Sequence, residues 1–80
     1  MIYNRIAVLR AERGISRKEL ADTVGVNFQT IGYLERGEYN ASLELALKLA
    51  AHFGLPVEMV FSLKKFPALS EALLAASKDK

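Results

Sequence analysis

Eighty residues with 11 Lys and Arg against 9 Asp and Glu make a small chain of net charge +2 that is 51% apolar and 25% charged. That is enough for one folded domain and too apolar for a disordered one, but the balance is too mild for charge alone to establish a nucleic-acid partner. The absence of cysteine excludes a disulfide framework and cysteine-based zinc or thiol chemistry. No apolar run reaches the roughly 20 residues of a membrane span, and MIYNRIAVLRAER lacks a signal-peptide core, so no membrane contact and a cytoplasmic location are expected.

Asn4 is a candidate N-cap for a first helix through about Arg13, with Ile6 and Leu9 turned inward and Gly14 ending it. Tyr3 and Val8 stand where a hydrophobic staple would join them, and an exposed Val8 is the alternative. Arg5, Arg10, Arg13, Arg17 and Lys18 are opposed only by Glu12 in this stretch, so the first third is the basic part. Ser16 and Glu19 have the spacing of a capping box at the start of a second helix from about Arg17 to Val24. Leu20, Ala21 and Val24 give that helix one narrow apolar stripe, and the small Ala21 permits another helix to cross closely. Gly25 suits a left-handed C′ position, and Asn27 is a good N-cap for a third helix to about Arg36, with Ile31 and Leu34 inward and Gly37 behind.

After the loop GEYNA, Ser42 caps a helix to about Phe53 in which Leu43, Ala46, Leu47, Ala50 and Phe53 keep the 3.6-residue period of a core face. Gly54 stops it, and Pro56 fits the first turn of a short helix through Phe61. Phe61 and Leu63 alternate with Ser62 and Lys64, which allows a short strand. Pro67 then breaks the chain, and 68–77 has helical composition with Phe66, Leu69, Leu73 and Ala76 spaced for one face; the residues after it are expected to fray. The expected division is a domain over 1–65 and an extension over 66–80, helical to about residue 77.

A helix, a turn of about three residues containing glycine and a second helix is the DNA-binding helix-turn-helix arrangement, whose second helix lies in the major groove. Here Leu20, Ala21, Val24, Gly25, Val26, Ile31 and Leu34 are all in register for it, and ERG and SLELALKLA follow. With ISRKELA and VGVNFQTIGYLERGEYN, the chain from about Asn4 to Phe61 resembles the phage-repressor and Cro type of helix-turn-helix regulator, also called XRE-like. The resemblance implies an all-α, five-helix DNA-binding domain. In some repressors of this type the segment after the fifth helix pairs with residues before the first, which would make Ile2 and Tyr3 the partner of the strand near Phe61.

Outward on the third helix stand Asn27, Phe28, Gln29, Thr30, Gly32 and Tyr33. The Gln29 amide offers a donor and an acceptor together, which matches the major-groove edge of adenine, and related regulators carry a reading glutamine in this first turn. Thr30 suits a phosphate or a thymine methyl group; Asn27 suits the same or simply the cap. Phe28 and Tyr33 depart from the basic or small polar residues usual there, and their rings suit thymine methyls or sugars, a covered core, or another chain. Gly32 would let the helix approach DNA closely.

Arg17 stands where the family usually has a phosphate-binding glutamine, and Lys18 and Arg13 are further phosphate candidates, as are Arg36, Tyr39 and Asn40 beyond the third helix. The family commonly pairs an arginine of the first helix with the glutamate of ERG, here Arg10 with Glu35. Ala41 replaces a common proline. His52, the sole histidine, reads as structural, and no nucleophile and base pair, metal site or cofactor loop is present to suggest an enzyme.

The expected partners are double-stranded DNA and a second copy of the chain, joined through Met59, Val60, Leu63, Phe66, Leu69 and Leu73. A repressor reading a palindromic operator as a homodimer follows from the resemblance. An antitoxin, or a protein-interaction module that kept the fold without DNA binding, are the competing readings.

Overall fold

The computed structural model of the chain describes residues 2–66. A two-residue strand, β1 (Tyr3–Asn4), leads into α1 (Ile6–Glu12), α2 (Arg17–Val24), α3 (Phe28–Glu35), α4 (Leu43–Phe53) and α5 (Val57–Val60), and β2 (Phe61–Ser62) follows directly. β1 and β2 pair antiparallel, Tyr3 opposite Ser62 and Asn4 opposite Phe61. The expected pairing therefore forms one residue later on the N-terminal side, because Phe61 belongs to the strand rather than to the end of α5.

Local chemistry explains where each central helix begins. Ser16 Oγ accepts from Glu19 N at 3.0 Å, Asn27 Oδ1 from Gln29 N at 2.9 Å and Ser42 Oγ from Leu45 N at 3.1 Å, so three helix starts each gain a partner for an otherwise free N–H. At the far end of α2, Gly25 takes the left-handed conformation with φ 77°, and its N–H and that of Val26 both donate to Ala21 O. That reversal sets the angle at which α3 leaves α2. The two pack closely through Leu20, Ala21 and Val24 on one side and Ile31 and Leu34 on the other, all buried.

Ile6 and Leu9 of α1, Leu45, Leu49, Ala50 and Phe53 of α4 and Val60 of α5 complete the core. The inward face of α4 differs from the expected one. Ala50 and Phe53 are buried, but Leu43 is 75% and Leu47 52% exposed, while Leu45 and Leu49 point inward. This helix is apolar on two overlapping stripes, and periodicity alone does not choose between them. The stripe that meets α2 and α5 is the one repeating at 45, 49 and 53.

Val60 also differs from expectation. It is fully buried and cannot line a contact with a second chain, because it seals the core beneath α1 while its carbonyl accepts from Arg5 N at 2.9 Å. Val8 is exposed, the second of its two readings. The helix expected over 68–77, and with it Leu69 and Leu73, lies outside the described residues.

A Cβ added to Gly25 would meet nothing within 4 Å, so only the backbone conformation resists substitution. Gly25→Ala should lose about 1 kcal/mol in urea unfolding, with Gly25→Asn losing less, since asparagine tolerates the left-handed region better.

Candidate nucleic-acid interface

α3 is held at one end and free at the other. Near its C-terminus the Glu35 side chain is only 3% exposed and receives two guanidinium groups: Arg10 Nε of α1 at 2.8 Å to Oε2, and Arg17 Nε of α2 at 2.8 Å to Oε1. Arg10 also donates from Nη1 to Ile15 O at 3.1 Å, which fixes its plane. One residue earlier, Asn4 Nδ2 donates to Leu34 O at 2.7 Å while Asn4 Oδ1 accepts from Ile6 N at 3.1 Å. Three side chains from three segments thus converge on the last turn of α3. Burial pushes the Glu35 carboxyl up; the hydrogen bonds from Arg10 and Arg17, with their charges, outweigh it and hold the group below its ordinary value.

The first two turns of α3 carry the exposed residues. Asn27, Phe28, Gln29 and Tyr33 face outward, while Ile31 and Leu34 face the core. Phe28, Gln29, Gly32 and Tyr33 line a shallow depression of about 150 Å³ together with Arg17 and Arg36, so the amide, both aromatic rings and two cations share one surface. Thr30 lies half-buried on the other flank, beside Val26, Tyr39 and Lys48. Asn27 spends its side-chain oxygen on the cap.

The expected cations divide into two groups. Arg17 remains 48% exposed although Nε is committed to Glu35, and Lys18 is exposed with an i,i+4 partner in Asp22 at 3.3 Å. Arg36 is half-exposed beside Glu38, whose hydrogen bond raises its already high pKa.

Arg13 does not belong with them. Its guanidinium donates to the carbonyls of His52 and Phe53 and lies 5.1 Å from the Phe53 ring centroid. It closes the C-terminal end of α4, where a cation suits the helix dipole. His52 stands edge-on to Phe53, with ring centroids 5.2 Å apart.

Two contacts leave no local signal in the sequence. Asn4 reads as a local cap, and nothing in its neighbourhood announces a partner 30 residues away. Gly32 was expected to let DNA approach, but a Cβ there would come within 3.2 Å of Arg36 Nη1, so the space is filled by that guanidinium. Tyr39 and Asn40 lie at the edge of an apolar groove with Ile2, Leu43 and Phe61.

Residues 6–60 match the helix-turn-helix family. Over 62 residues the chain is 44% identical to the uncharacterized HTH-type transcriptional regulator YgzD of Bacillus subtilis (strain 168), covering 78% of this chain and 94% of that protein. It is 34% identical over 62 residues to the cryptic phage CTXphi transcriptional repressor RstR of Vibrio cholerae, covering 78% of this chain and 56% of that one. The crystal structure of the restriction-modification controller protein C.AhdI from Aeromonas hydrophila superimposes with a TM-score of 0.64 at 34% identity, over 69% of this chain and 83% of that chain.

Because Glu35 is held ionised by its partners, Glu35→Gln should destabilise the fold by about 3 kcal/mol at neutral pH, the low end for a broken buried pair since Arg10 keeps some contact with water. A carboxylate whose folded-state pKa is depressed contributes stability above its unfolded value and loses it as the pH falls through the folded one. The gap between wild type and Glu35→Gln in urea unfolding should be widest above about pH 5 and narrow below the unfolded carboxyl value near 4.3.

Proposed function

Since the chain belongs to the helix-turn-helix family, as a DNA-binding transcriptional regulator of the phage-repressor type, we propose that it is a repressor that reads a palindromic operator as a homodimer. α3 lies in the major groove. Gln29 reads adenine, Thr30 and Asn27 lie at the edges of the contact, and Phe28 and Tyr33 pack on thymine methyls or sugars. Arg17, Lys18, Arg36, Tyr39 and Asn40 set the register on the phosphates. The observation that carries this reading is the exposed Gln29 sharing one surface depression with Arg17 and Arg36, on a helix anchored to the body through its last turn. Repression follows from occupying DNA that polymerase needs.

One such domain touches too few bases to be selective, and two related by a twofold axis read half-sites about 34 Å apart. The dimer contact is assigned to the surface after α4, where Met59 and Leu63 are exposed and the latter lines an apolar groove of about 480 Å³ with Ile2, Val57 and Phe61. The Phe66 ring is in part already used, stacked 4.1 Å from the Arg5 guanidinium carbon. The same groove and the exposed pair Phe28 and Tyr33 are the features that favour a protein-interaction module instead.

Selection of bound duplexes from a random pool should recover a palindrome, with binding that weakens steeply as salt rises; no binding even at low salt would favour the interaction module. Gln29→Ala should relax one position of each half-site by about tenfold, within the 1–3 kcal/mol of a bidentate base contact. Light scattering at micromolar concentration should report a dimer, and a monomer there would overturn the twofold arrangement.

A further inference from the structure

Arg36 is the cation of this surface whose guanidinium is matched by a carboxylate from the loop just beyond α3. Nε donates to Glu38 Oε1 at 2.6 Å, and the guanidinium carbon lies 5.2 Å from the Tyr33 ring centroid. Gly32 supplies the room in which Nη1 rests. The backbone holds Glu38 in place. Gly37 turns the chain with φ 75°, Gly37 N donates to Leu34 O at 3.0 Å, and Glu38 N donates to Tyr33 O at 2.9 Å. The carboxylate is thus returned alongside the helix by main-chain bonds rather than by the reach of its side chain.

We propose that Glu38 is a built-in competitor for the DNA backbone, its carboxylate holding on Arg36 the place that a phosphate oxygen takes when duplex binds. The inference rests on the DNA-binding reading above. Carboxylate and phosphate present anionic oxygens to the same planar fork of donors, so each satisfies the guanidinium in the same way. Both Arg36 and Glu38 are 51% exposed, and a pair in that setting is weak enough to be exchanged on contact with DNA. The exchange gives up the Glu38 ion pair each time Arg36 takes a phosphate, which lowers affinity for every sequence alike, because phosphate contacts carry no base information. The device sets how long the protein stays on arbitrary DNA. Tyr33 takes part as the shelf on which the guanidinium rests.

The test is titration of mixed duplexes at several salt concentrations with the wild type, Glu38→Gln, Arg36→Gln and the double variant. Glu38→Gln should bind on the order of two- to fivefold more tightly, the range of one exposed ion pair. Its dependence on salt should stay close to that of the wild type, since Arg36 reaches the phosphate in both, with thermal unfolding unchanged. In the Arg36→Gln background the same substitution should leave affinity where it was, since the effect runs through the guanidinium. An equal gain in both backgrounds would reveal simple repulsion by a surface carboxylate and overturn the proposal, as would a wild type that binds and a Glu38→Gln variant that gains nothing. If no variant binds any duplex at low salt, the DNA-binding reading itself has failed and the competitor goes with it.

Discussion

The placement of the recognition helix depends on one carboxylate. Glu35 is nearly out of water, and a lone anion there would be costly, so its burial depends on the guanidiniums that reach it, from Arg10 and Arg17. Those two residues come from α1 and α2, which makes the pairing a three-helix joint. The two halves are unequal. Arg10 is 19% exposed and fixed by Ile15 O, so its charge has little alternative to Glu35; Arg17 is half in solvent, where the attraction is screened and the side chain can serve a second partner. The first half orients the helix, and the second links that orientation to the outer surface.

What was legible in the chain was legible because it is local. Ser16, Gly25, Asn27 and Ser42 act within a few residues of themselves, so the starts of α2, α3 and α4 and the turn between the reading pair could be placed from sequence. The core face of α4 could not. Its leucines at 43, 45, 47 and 49 satisfy two rotations of the same helix, and only the positions of α2 and α5 decide between them. The burial of Val60 and the helix-end contacts of Arg13 are hidden from the sequence for a related reason. An apolar residue near the end of a domain and a basic residue near a binding motif both look like surface, and their actual partners, Arg5 N and the carbonyls at the end of α4, are remote in the chain. The pairing of Arg10 with Glu35 was available only through family resemblance, since a separation of 25 residues leaves no periodic trace.

These contacts also decide how much of the chain's positive charge faces the reading helix. Of the basic residues crowded into the first third, Arg10 and Arg13 are engaged by groups of the same chain, and Arg5 is laid over Phe66. Cations near the reading helix include Arg17, Lys18, Arg36 and Lys48, each with a carboxylate within reach. A count of positive charge along the chain therefore overstates the field near the reading helix, and the local arrangement, not the total, bears on nucleic-acid affinity.

Because the side-chain hydrogen bonds from other segments to α3 fall on Leu34 and Glu35, while Phe28, Gln29 and Tyr33 are exposed, the helix separates two tasks along its length. Its outer lettering can be rewritten without disturbing the hinge on which it is mounted. The domain is in that sense a chassis for retargeting: new preferences could be grafted onto the first two turns, while a change in the last turn would tilt the whole rod and spoil any alphabet written on it.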